Sequence, residues 1–125
     1  MKHLKEKKEF TSSVPTPGIL DTFRFPGVSQ CITLTQKEFT SLCPITGQPD
    51  YAEIEIEYTP NELCVESKSL KLYLGAYRNY GGFAEAITYK IAKDLYIVLN
   101  PTSLRVTGRF VSRGGISIEV TEDVN

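Results

Sequence analysis

The chain has 125 residues, 41% of them hydrophobic and 23% charged, with a formal net charge of −1. That length fits one domain with a core of its own, without disulfide or metal staples. The near-neutral balance gives no electrostatic footing for general nucleic-acid binding, and no apolar run approaches the roughly 20 residues of a membrane span.

Residues 1–30 begin with alternating Lys and Glu and continue through Pro15, Pro17, Gly18, Pro26 and Gly27, which block regular structure. They read as an extended N-terminal arm, with residues 31–125 as a single domain. Ile19, Leu20, Phe23 and Phe25 favour an arm that docks. Ile32, Leu34 and Phe39 mark a first strand. Glu53-Ile54-Glu55-Ile56-Glu57-Tyr58 alternates acidic and apolar side chains, the signature of a half-buried antiparallel strand. Thr59-Pro60-Asn61 ends it. Leu70, Tyr73, Leu74 and Tyr77 then recur at helical spacing, and Asn79 to Gly82 stop that helix. Phe83, Ile87, Ile91 and Leu95 stripe a second helix, which Asn100-Pro101 breaks. Leu104 to Phe110 and Ile116 to Val120 alternate as two strands around Arg113-Gly114-Gly115. The order strand, strand, helix, helix, strand, strand is an α+β pattern: a four-stranded antiparallel sheet with two helices on one face. Its two open edges have to be covered or joined to another subunit, and joining into a closed barrel makes a cyclic homo-oligomer.

Two segments carry chemistry. In Cys43-Pro44-Ile45-Thr46-Gly47-Gln48-Pro49-Asp50 a thiol sits at a turn and a carboxylate returns seven residues later. The plain alternative is a buried structural cysteine with Asp50 as a turn residue. Without a cation, a base or a helix N-terminus nearby, only a few per cent of a free thiol is thiolate at neutral pH. The only histidine is His3, so any acid–base work falls to carboxylates, Lys, Tyr or water. Three cysteines, Cys31, Cys43 and Cys64, form neither a disulfide framework nor a metal-type pattern. Free thiols, and an N-terminus without the apolar core of a secretory signal, point to the cytoplasm.

The second segment, Glu66-Ser67-Lys68-Ser69-Leu70-Lys71, reads either as a helix start with Ser67 as N-cap or as an anion site. Lys68 and Lys71 oppose the helix dipole, a placement that makes more sense beside phosphate, and the helix N–H groups would help. Arg113 with Gly114 offers another cation beside bare backbone, or a plain hairpin turn. Glu85, early in the second helix, either complements the dipole or accepts two N–H donors from a guanine-like edge.

These two segments, with Tyr77-Arg78-Asn79 after them, resemble the NADPH-dependent 7-cyano-7-deazaguanine reductases, nitrile reductases of the queuosine pathway with a tunnelling fold. The match runs from about Phe39 to Gly115. The resemblance implies that Cys43 attacks the nitrile carbon to form a thioimide and that Asp50 is the proton donor. It implies that Glu66 and Glu85 hold the deazapurine base, helped by Val65, Ser67 and the position of Ala84. It assigns NADPH to Ser67, Lys68, Lys71, Arg113 and Gly114, and an assembly of edge-joined sheets, a decamer of two stacked pentamers, with sites between subunits and neither direct nucleic-acid nor membrane contact. One position departs: the family usually has His before the glutamate, and here the run is Phe83-Ala84-Glu85. The competing readings are an amidine-forming enzyme on nitrile-bearing tRNA and a non-catalytic purine- or pterin-binding protein of the same architecture.

Overall fold

The computed structural model describes residues 14–25 and 29–124; the Lys-rich start with His3, and Pro26 and Gly27, lie outside them. The described residues form six strands: β1 (Thr22–Arg24), β2 (Ile32–Leu42), β3 (Pro49–Thr59), β4 (Leu63–Val65), β5 (Ser103–Arg113) and β6 (Ile116–Val124). Two helices, α1 (Ser67–Gly75) and α2 (Ala84–Leu99), stand between β4 and β5. The main sheet has the order β2-β3-β5-β6 and is antiparallel throughout. The expected α+β architecture is therefore the one found.

The alternation in β3 decides which face is covered. Ala52, Ile54, Ile56 and Tyr58 are buried against the helices, while Glu53, Glu55 and Glu57 point the other way. On that open face the acids meet bases: Arg109 Nη1 lies 2.8 Å from Glu55 Oε1, and Arg105 Nε lies 2.7 Å from Asp123 Oδ1. In α2 the stripe Ile87, Ile91, Leu95 and Leu99 is wholly buried, the face that helical periodicity requires. The helix lies close to β5 because Gly108 has no side chain: a Cβ there would stand 2.7 Å from the Thr88 hydroxyl oxygen. Asn100 closes α2 in the left-handed region at φ 45°, a conformation Asn tolerates better than most residues.

Three details differ from the sequence reading. A second, two-stranded sheet joins β1 to β4 in antiparallel register. Both strands have three residues, too short for any periodicity to register. Residues 17–24 pack on the domain, with Ile19 and Leu20 buried but Phe23 about half exposed. Helix α1 ends at Gly75, so Tyr77 lies beyond it in a turn, still fully buried and edge-on to Tyr73 and Tyr80. Among the described residues no helix is long and apolar enough to cross a membrane.

Candidate active site

Cys43 leaves β2 into a tight loop. Its N–H donates to the Gln48 carbonyl at 2.8 Å and its carbonyl accepts the Gly47 N–H at 2.9 Å. The thiol is partly exposed. The Thr46 hydroxyl, aided by the N–H groups of Thr46 and Ile45, holds its pKa below the usual thiol value, against smaller opposing effects of burial and the Asp50 charge. Thr46 is itself fixed, its hydroxyl accepting the Gln48 N–H at 3.2 Å. The loop thus supplies what a histidine would otherwise provide, a raised thiolate fraction. The sequence reading passed over Thr46 because a Thr in a turn carries no signal until its hydroxyl is placed.

Asp50 sits two residues into β3, directly opposite Ser41 on β2. Arg113, at the end of β5, reaches across to it. Its Nε lies 2.7 Å from Asp50 Oδ1, and its other nitrogens donate to Gln48 Oε1 at 3.1 Å and the Pro49 carbonyl at 2.5 Å. Arg113, expected as a cofactor contact, is here a partner of the expected proton donor. Gly114 follows with φ 59° and open space where a Cβ would stand.

The backbone also brings the second helix to this end of the sheet. Leu42 N–H donates to the Tyr80 carbonyl at 3.0 Å and its carbonyl accepts the Gly82 N–H at 3.1 Å, a short parallel bridge to Gly81. Packing of Phe39 on Tyr77 and of Tyr77 on Tyr80 anchors that segment. Ala84 then opens α2 and Glu85 stands exposed in its first turn, without a side-chain cap on the helix.

Val65, Glu66, Ser67 and Lys68 lie elsewhere. Val65 donates its N–H to the Tyr58 hydroxyl at 3.0 Å, and Tyr58 is eight residues along β3 from Asp50, about 26 Å of strand at roughly 3.3 Å per residue. Glu66, not Ser67, caps α1: its carboxylate accepts the Lys68 N–H at 2.9 Å and the Ser69 N–H at 2.7 Å. Burial pushes its pKa up, but those two N–H groups, the Ser69 hydroxyl and the Lys68 charge together hold it below the usual carboxylate value. The helix N-terminus expected to receive an anion is therefore already partly occupied by Glu66. Ser69, fully buried, ties this corner together by accepting the Asp21 N–H and donating to the Glu66 carbonyl, both at 2.8 Å. Ser67, Lys68 and Lys71 are exposed, and among the described residues neither lysine is in an ion pair. Exposed ammonium groups of this kind fit an anionic, phosphate-bearing cofactor.

The expected site residues thus form two groups at opposite ends of the sheet. Cys43, Asp50, Arg113, Gly114, Ala84 and Glu85 make one; Val65, Glu66, Ser67, Lys68 and Lys71 make the other.

Comparison with known proteins identifies the family. A family model described as QueF-like protein matches residues 49–125. The NADPH-dependent 7-cyano-7-deazaguanine reductase of Streptococcus thermophilus is 55% identical over 106 residues, 83% of this chain and 65% of that protein. Its namesake from Desulfovibrio desulfuricans is 50% identical over 85% of this chain and 65% of its own length. That from Nitratidesulfovibrio vulgaris is 42% identical over 96% and 74% respectively. The chain accordingly spans 65% of the length of the first of these relatives. Among solved structures, an archaeosine synthase QueF-Like in the apo form superimposes with a TM-score of 0.70 at 22% identity, over 74% of this chain and 91% of that one. At that identity the likeness is one of fold.

Proposed function

The chain belongs to the QueF-like protein family, and from that membership we propose that it reduces the nitrile of 7-cyano-7-deazaguanine to a primary amine with NADPH. One observation carries the reading: a partly exposed thiol whose thiolate form is favoured by its own loop, next to a carboxylate held at the adjoining strand end.

Sulfur addition to a nitrile forms a C–S bond, breaks one C–N π bond and needs a proton on nitrogen. The proton that leaves the Cys43 thiol reaches nitrogen through Asp50, and the product is a thioimide on Cys43. Dividing one hard reduction into easier steps is what covalent catalysis contributes. Two NADPH molecules, bound in turn, would each supply one hydride, which with two protons converts nitrile to amine and leaves two NADP+. Release of the C–S bond between those stages returns sulfur as thiolate, which the Thr46 hydroxyl and the Ile45 and Thr46 N–H groups receive. Glu85 presents a carboxylate to the N–H edge of the base, a bidentate charge-assisted contact. Ala84 gives no side-chain hydrogen bond there, so the base is held with one contact fewer than a His would provide.

The separation of the two groups of residues supports an assembly in which one protomer's Val65–Lys68 corner meets another's Cys43 end. The open edges of β2 and β6 supply the means of joining, and the decamer of two stacked pentamers is one closed solution. The reading treats residues 1–30 as an arm on a single domain, places the enzyme in the cytoplasm and assigns it no nucleic-acid partner. Its test is mass spectrometry of the protein mixed with the nitrile. An adduct of substrate mass on wild type, absent from Cys43→Ala, with oxidation of about two NADPH per substrate, is the expected result. An adduct without NADPH oxidation favours an amidine-forming enzyme. No adduct at all leaves a non-catalytic binding protein.

A further inference from the structure

Ser41 is wholly buried, and its hydroxyl has no hydrogen-bond partner among the described residues. Buried polar groups are almost always paired, and an exception calls for a cause. The position suggests one. Ser41 is the residue directly across the ladder from Asp50, so the two side chains leave the same face with Cβ atoms about 5 Å apart. A serine hydroxyl at that spacing is within one side-chain rotation of a carboxylate oxygen. Asp50 is instead turned to Arg113, which grips Oδ1 at 2.7 Å. Arg113 has only a hairpin tip behind it and is nearly half exposed, whereas Ser41 is fixed where the Leu42–Gly81 bridge closes over the strand end.

We propose that Asp50 has two holders, Arg113 and Ser41, and that Ser41 positions the carboxylate for the reaction once an anionic group of the cofactor draws the Arg113 guanidinium away. Arg113 then links arrival of the hydride donor to placement of the proton donor. No bond is made or broken in the exchange: Asp50 trades a guanidinium N–H for a hydroxyl O–H. The inference rests on the reductase reading and adds to it a positioning residue that the reaction itself does not name.

Ser41→Ala separates the possibilities. Removing an unpaired buried hydroxyl leaves a folded protein with a melting temperature at or above that of wild type. The expected result is an undiminished nitrile adduct without NADPH and an unchanged KM for the nitrile. With both substrates kcat falls on the order of ten-fold, the scale of a misplaced but present acid. An unchanged kcat overturns the proposal, and so does a lowered melting temperature with loss of the adduct, which marks a structural role. A crystal structure with NADP+ gives a readout independent of turnover. The Arg113–Asp50 pair should open beyond about 4 Å with Ser41 Oγ bonded to Asp50, and persistence of the 2.7 Å pair there overturns the exchange. Absence of the adduct from wild type would instead count against the reductase reading, a result distinct from either.

Discussion

The two ends of the sheet hold their functional side chains by opposite means. At the Cys43 end the holders are a six-residue loop and a hairpin tip, and the contacts are polar and partly exposed: Thr46 on the thiol, Arg113 on Asp50. At the Val65 end the holders are a helix cap and a buried tyrosine, with Glu66 on two helix N–H groups and Tyr58 on Val65. The first end can exchange partners at little cost, which suits bond-making. The second cannot, because its holders are a helix cap and a buried hydroxyl.

The largest effect expected from this division is complementation. Cys43→Ala alone should be inactive, and so should a Lys68→Ala/Lys71→Ala protein if cofactor binding fails. Co-assembled in equal amounts, they should recover about a quarter of wild-type NADPH oxidation, because random pairing of protomers leaves about one junction in four with both ends intact. If the mixture stays inactive although mass spectrometry shows mixed oligomers, each protomer has to carry a whole site.

A smaller effect tests the rigidity of the Val65 end. Burial raises the Tyr58 pKa from 10.0 to about 12. Because the folded-state value is the higher, the stabilisation is complete below pH 10 and is lost as pH rises from 10 towards 12. The shift corresponds to about 2–3 kcal/mol at roughly 1.4 kcal/mol per pH unit. Tyr73 and Tyr77 are pushed up as well, chiefly by burial, and extend the same loss to higher pH. Tyr58→Phe should lose about 1–3 kcal/mol at neutral pH, where it orphans the Val65 N–H. It should also show a shallower decline in denaturation midpoint between pH 10 and 12; an unaltered alkaline profile would contradict the assignment.

The smallest effect belongs to Thr46. Thr46→Val removes the hydroxyl that favours the thiolate, so the pH midpoint for alkylation of Cys43 should rise, and the rate at neutral pH should fall a few-fold as the thiolate fraction drops. The melting temperature should barely change, since the loop is at the surface. An unmoved midpoint would give the backbone N–H groups the whole effect.

How much of this was legible beforehand follows from the range of each interaction. The alternation of β3 and the stripe of α2 are periodic, and periodicity survives in one dimension, so the four-stranded sheet and the second helix could be read directly. The same route failed for β1 and β4, whose three residues hold no full period. It also placed Tyr77 inside a helix that ends at Gly75, because buried aromatic packing beyond a helix end imitates its stripe.

For the site, the order of residues establishes the chemical inventory: a thiol and a carboxylate seven residues apart, two lysines at a helix start, an arginine before two glycines. Residues that close in sequence share a loop or a first turn, so local geometry follows from the order of residues alone. Which of these groups meet is a matter of how the folded chain packs. That packing took Glu66 for the helix cap, set Arg113 on Asp50 across 63 residues of chain, and left Ser41 buried opposite that same carboxylate, without a hydrogen-bond partner among the described residues. Contacts of that kind depend on strand register and on which side of a sheet a side chain leaves, quantities fixed by the packing of the whole core.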